Sequence, residues 1–237
     1  MVTLNTIAYN ILKNYRIQTK ISDDLDIRYI YQWVNNARAK YVKQRLDKSV
    51  FEIDQSLIQS LGAVEVELVD SSIAANLPTP LPSDKYFLRT KLSIPKTVDR
   101  SGHIGTFVRI GPADRYELKY KVVSHEDALT FGFGKFNKKD VCAFVIDDKV
   151  YLCSRDMTIK NLKYIDIRGV FQDAIAAGLF TNVAFDENSA YPLGEDMVHD
   201  IEKIIISEKL LPLLNEKEDT NGNGANDIIN VGLGGRR

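Results

Sequence analysis

The sequence predicts an α+β fold: N-terminal helices, a central antiparallel β domain, C-terminal helices and an extended C-terminal tail. Three observations predict it. Apolar residues recur at helical spacing through the first fifty positions. From Gly62 to about Ile167 the pattern changes to short alternating segments punctuated by turn residues. An apolar helical face then returns between Glu195 and Leu211. The boundaries that follow are 1–61 for the N-terminal helical region, 62–169 for the β domain, 170–214 for the C-terminal helices and 215–237 for the tail.

The first helix is expected from Thr3 to about Arg16, with Leu4, Ile7, Ala8, Ile11 and Leu12 on one face. A second begins near Ile27. Ile27, Ile30, Val34, Ala37 and Tyr41 follow one another by three, four, three and four, the period of an apolar stripe. Asp23, Asp24 and Asp26 lie at its start, and Arg38, Lys40, Lys43 and Arg45 fall toward its end, complementing the helix dipole. Trp33 falls beside the stripe and is expected in the core.

In the β domain, Val64, Val66 and Leu68 alternate with Glu65 and Glu67, the pattern of a half-buried strand. Further strands are expected at Tyr86–Leu92, Gly105–Ile110, Leu118–Val123, Ala143–Ile146, Val150–Cys153 and Tyr164–Arg168. Their spacing implies a compact antiparallel sheet or small sandwich. Gly111 to Asp114 and Gly132 to Gly134 are turns within it, and the proline-rich stretch from Leu77 to Ser83 is an extended surface connection. Asp147-Asp148 is expected to be a two-residue turn, which sets Phe144 opposite Tyr151 and Cys142 opposite Cys153. Beyond it, a short helix is expected from Val170 to about Leu179, and a longer one from Glu195 to Leu211, bounded by Pro192 and Pro212.

Charge narrows the function classes. Lys+Arg is 31 against Asp+Glu 32, a net charge of -1, so no global basic field points to nucleic acid. The balance is local instead: the first fifty residues are basic and residues 194–219 acidic, which suits a meeting of the two, within a subunit or between neighbours. No stretch approaches the roughly 18 consecutive apolar residues of a membrane span, and Met1 to Asn5 carries no signal-peptide pattern. A soluble protein made in a cytoplasm is expected. Two cysteines are too few for a disulfide scaffold, and cytosolic conditions favour thiols over a Cys142–Cys153 bridge.

A search for chemistry yields no catalytic, cofactor-binding or metal-ligating set. His103, His125 and His199 are far apart, expected in a turn, a loop and a helix, with no nucleophile motif beside them. Gly132-Phe-Gly134-Lys135 lacks the Walker spacing, so turn glycines flanked by buried aromatics are expected. Asp219, Asn221, Asn223, Gly224 and Asp227 match the first half of a calcium loop, but Asn230 stands where a bidentate glutamate belongs. A polar, glycine-rich tail explains the same residues. No enzyme and no cofactor are expected.

Several stretches, in order along the chain, resemble a family of structural virion proteins. They are Ser22 to Lys40 with its Asn36-x-Arg38-Ala passage, Leu88 to Pro95, and Val108 to Pro112. Tyr164 to Phe171 and Tyr191 to Val198 follow. Together they are similar to the head-to-tail connector, or collar, ring protein of crAss-like and other large tailed bacteriophages. The resemblance covers about residues 22–230. It implies a ring of identical subunits, twelve to match a portal, at the portal–tail junction of the virion. The implied partners are the subunit itself, the portal protein, adjacent ring or tail proteins, and genomic DNA passing through the lumen without sequence-specific binding. The Pro-rich stretch and the tail would be arms reaching to neighbours. Assembly would take place in the host cytoplasm. A tail-completion or cargo protein, and a metal-dependent nuclease, stay as alternatives.

Overall fold

The computed structural model describes residues 2–19, 25–48, 53–70, 73, 81–99, 105–134, 139–180 and 186–212. Contacts divide the chain into two compact units, Met1–Ala37 with Glu187–Arg237, and Arg38–Asp186.

In the first unit, α1 (Leu4–Thr19) buries Leu4, Ile7, Ala8 and Ile11 completely. The helix α2 (Ile27–Lys48) starts as its acidic entrance predicts: Asp26 accepts the Arg28 backbone N–H at 2.9 Å and pairs with the Arg28 guanidinium at 2.6 Å. Asp23 and Asp24 lie outside the described residues. Ile30 and Val34 are buried, whereas Trp33 is only half-buried, at the margin of the stripe rather than within it. The later helix, labelled α5 here (Glu195–Ile205), contacts α1 and buries Met197, Ile201 and Ile205. Its last turn widens into one π turn, Ile206–Leu210. Within this unit the Asn10 amide of α1 donates to Glu202 of α5 at 3.3 Å. Chain entry is fixed by backbone bonds: Tyr191 N–H donates to Val2 O at 2.9 Å and Asn5 N–H to Glu187 O at 3.1 Å.

The second unit holds a seven-stranded sheet, order β3-β7-β1-β2-β6-β5-β4. Its strands are β1 (Gln59–Leu68), β2 (Tyr86–Thr90), β3 (Phe107–Pro112), β4 (Lys121–Val122), β5 (Cys142–Ile146), β6 (Lys149–Ser154) and β7 (Tyr164–Gly169). All seven fall where the alternation predicts. The strand β1 changes partner along its length, pairing with β7 over Gln59–Glu65 and with β2 over Val66–Leu68. The core between includes Val64, Val66, Leu88, Ile110, Leu152, Ile165 and Ile167.

The sheet is mixed, not wholly antiparallel: β4 runs parallel to β5. A parallel neighbour needs a crossover, and α3 (His125–Thr130) lies in that connection. So His125 opens a short helix rather than sitting in a loop. Ser124 caps it, its hydroxyl accepting the Asp127 N–H at 3.0 Å. The remaining helix, α4 (Ala174–Phe180), contacts β1 and is shorter than expected. Val170 and Phe171 stay extended: Val98 N–H donates to Val170 O, and Thr97 bridges Phe171. Asp173 then accepts from the Ile175 and Ala176 N–H groups and starts the helix.

The most deeply buried of this unit's described cations is Arg38. It is fully buried, and its guanidinium donates to Phe171 O at 2.8 Å. It serves packing in mid-helix rather than dipole balance at the C-terminus.

Candidate functional site

The sheet's outer face carries most of the polar side chains that could do chemistry, and they form two separate clusters. The first lies under α3. Asp147 and Asp148 both have positive φ, 50° and 59°, the mark of a type I′ hairpin. That turn pairs Cys142 with Cys153 and Phe144 with Tyr151, as the sequence predicts. The two rings stack at 5.4 Å, and His125 tilts over Phe144 at 5.4 Å between centroids. Both cysteines are free thiols and fully buried. The hydrogen bond that Cys142 donates to Cys153, then burial, pushes the Cys142 thiol up, so it stays protonated.

Lys85, also buried, donates to Ala128 O at 2.9 Å and Leu129 O at 2.7 Å. It neutralises the carbonyl end of α3. Beside it, Gly132 takes φ +85° in the turn, as a turn glycine should. Its neighbour Phe133 is 58% exposed, contrary to the buried aromatic expected there. The ring is instead covered by cations, the Arg155 guanidinium at 4.4 Å and the Lys85 ammonium at 5.0 Å. Lys135 lies outside the described residues.

The second cluster is ionic. Asp166, buried on β7, accepts from Arg109 Nε at 2.8 Å and Arg168 Nε at 3.1 Å. Arg109 also donates to the carbonyls of Pro112 and Arg115, each at 3.2 Å, and to that of Tyr116. The Tyr116 ring covers both guanidiniums, at 4.5 Å from Arg109 and 4.8 Å from Arg168. The Arg109 bonds to the carbonyls of Pro112, Arg115 and Tyr116 fasten the 113–120 loop. Sequence reasoning missed it because Ile165-Asp166-Ile167 looks like ordinary strand alternation.

Beside that loop the two edges of the sheet approach each other. Tyr120 N–H donates to Ile110 O of β3 at 2.7 Å, one residue before β4 begins. Two adjoining cavities, ≈ 310 Å³ and ≈ 710 Å³, open there. Leu118, Tyr120, Phe131, Val141, Ile159 and Leu162 give apolar walls. Arg115, Lys119, Lys121 and Lys139 stand around them, against Asp114 and Asp140. Burial pushes the Tyr120 hydroxyl up to about 12.

The other sequence candidates are not brought together. His125 and His199 lie on different helices in different units, while His103 and the whole 219–230 segment lie outside the described residues. Most of the 77–83 stretch does too. Among the described residues, no group of three or more His, Cys, Asp or Glu could hold a metal ion. No helix there is long and apolar enough to cross a membrane.

What this geometry offers is a sheet with its loops fastened by two polar clusters and a groove where its edges meet. No curated protein matches the chain. A family model described as phage tail ring protein 2 matches residues 6–228, from α1 through the whole sheet and past α5, and the chain belongs to that family of phage tail ring proteins.

Proposed function

We propose that the protein is a structural ring subunit at the portal–tail junction of a tailed phage, present in twelve copies and forming part of the conduit for DNA. The observation that carries this reading is the family match over residues 6–228. The fold is compatible with it: the polar clusters of the sheet hold loops in place. Heterologous contacts around a closing rotation generate such a ring. The helical ends face neighbouring subunits or the adjoining ring, and the sheet gives each subunit its rigid body. A net charge of -1 suits a lining along which DNA slides without being held.

Particle averaging of virions tests it. A discrete twelvefold ring of this chain seated against the portal is the expected outcome. A monomer dispersed in the tail, or a copy inside the capsid, would replace this reading with a tail-completion or cargo role. A DNA-cleavage assay on the purified chain with magnesium should stay blank.

A further inference from the structure

The groove where the sheet edges meet has features that the folded subunit itself does not explain. Its rim holds four basic side chains, Arg115, Lys119, Lys121 and Lys139, against two carboxylates. Its walls mix the apolar side chains of Leu118, Tyr120 and Val141 with polar Thr158 and Asn161, and Leu118 there remains 44% exposed. An occupant must therefore bring both an acidic run and apolar side chains.

The chain carries such a segment beyond its last described residue, Pro212. Leu213 and Leu214 are followed by Glu216, Glu218 and Asp219, with Lys217 as the one base among them. The family match continues through this stretch to residue 228, so the segment is part of the family pattern. Fully extended, residues 213–237 would span on the order of 80 Å, while a domain of this size is roughly 40 Å across. The segment is long enough to reach a neighbouring subunit.

We infer that this groove receives the C-terminal segment of an adjacent copy of the chain, Leu213 and Leu214 against the apolar walls and Glu216, Glu218 and Asp219 at the basic rim. The inference rests on the ring reading above. In a closed ring each copy offers one groove and one segment, so every groove is filled and no terminal one is left open. The competing occupant of a basic groove is a nucleic-acid backbone. Phosphates would leave the exposed Leu118 side chain uncovered, whereas the peptide brings leucines as well as carboxylates, so the peptide fits better.

Exposed Lys121 makes the arrangement testable in the full-length chain. One isotopically labelled copy carries Lys121→Cys, a second unlabelled copy carries Asp219→Cys, and the two are assembled together and oxidised. Cys142 and Cys153 are buried and serve as internal controls. A disulfide joining labelled to unlabelled chain is expected. Its yield should fall at least about tenfold when Lys119, Lys121's neighbour across the rim Lys139, and Arg115 are all changed to Glu, because like charges then face each other. It should return when Glu216 and Glu218 are changed to Lys in the other copy. A bridge found only within single chains, in a Lys121→Cys/Asp219→Cys double variant, would overturn docking between copies. Rings that form normally but give no bridge would overturn the inference and leave the ring reading standing; no ring from the unaltered chain, in solution or in virions, would remove the ring reading itself. Binding of a DNA duplex that the Glu variants abolish, with bridging unchanged, would assign the groove to phosphates instead.

Discussion

The two ends of the sheet's outer face are covered by opposite means. Under α3 the cover is apolar: Phe87, Phe144, Tyr151 and two thiols pack against Ala128 and Val123. Under the 113–120 loop the cover is ionic, with Arg109, Asp166 and Arg168 beneath the Tyr116 ring. An apolar cover tolerates imperfect fit because dispersion and the hydrophobic effect are non-directional. An ionic one is all or nothing, since each buried charge costs several kcal/mol once its partner is gone. The first end should yield gradually to mutation, and the second abruptly.

The largest effect is expected at the ionic end. Asp166→Ala strands buried Arg109 beside Arg168 and should cost about 4 kcal/mol in denaturant unfolding; a loss under about 1 kcal/mol would mean that water already screens the cluster. Phe144→Ala at the apolar end should cost about 3 kcal/mol, somewhat less, because α3 is a short helix that can settle into the space. Tyr116→Ala removes the ring over two guanidiniums and should cost about 1–2 kcal/mol. Its sharper signature is faster amide exchange confined to residues 113–120.

The alkaline limb distinguishes the seam from both ends. The Tyr120 hydroxyl titrates at about 12 in the fold against 10.0 unfolded, so the unfolded chain releases its proton first. Stability should be unaffected below pH 10 and fall between pH 10 and 12, by up to about 3 kcal/mol before allowance for partial exposure, which lowers it. Tyr120→Phe should flatten that limb, followed by thermal melts across pH. The smallest effect belongs to the solvent-facing cross-strand pair Arg89–Glu67, at 2.7 Å: Glu67→Ala should cost at most about 1 kcal/mol, and less in high salt.

The strands were legible because alternation is a local signal, and in Ile165 and Ile167 or Val64 and Val66 it states directly which side faces the core. The hairpin was legible from Asp147-Asp148 alone. The helix α3 was missed although its signal is present: Ser124-His-Glu-Asp127 is a capping pattern, weak because it introduces a single short helix. Arg38 was misjudged because its charge suggested a surface, yet it lies four residues after buried Val34 and four before buried Val42. The ionic cluster and the groove could not be seen at all. Both are made where β3, β7 and the loop before β4 come together, and no local pattern in the sequence encodes which strands will be neighbours.

That dependence on distant neighbours bears on when the subunit becomes usable. The β5–β6 hairpin closes across two residues, and β1 meets β2 soon after both leave the ribosome. The other stretch of β1 waits for β7, on the order of a hundred residues later, and such distant pairings form slowly. Until β7 arrives, one flank of β1 and its row of apolar side chains stay open, and β3 has no strand to lie on. A nascent chain therefore holds an open half-sheet until β7, ending at Gly169, has been made, and the seam closes only afterwards. Folding order thus sets the point at which the groove first exists.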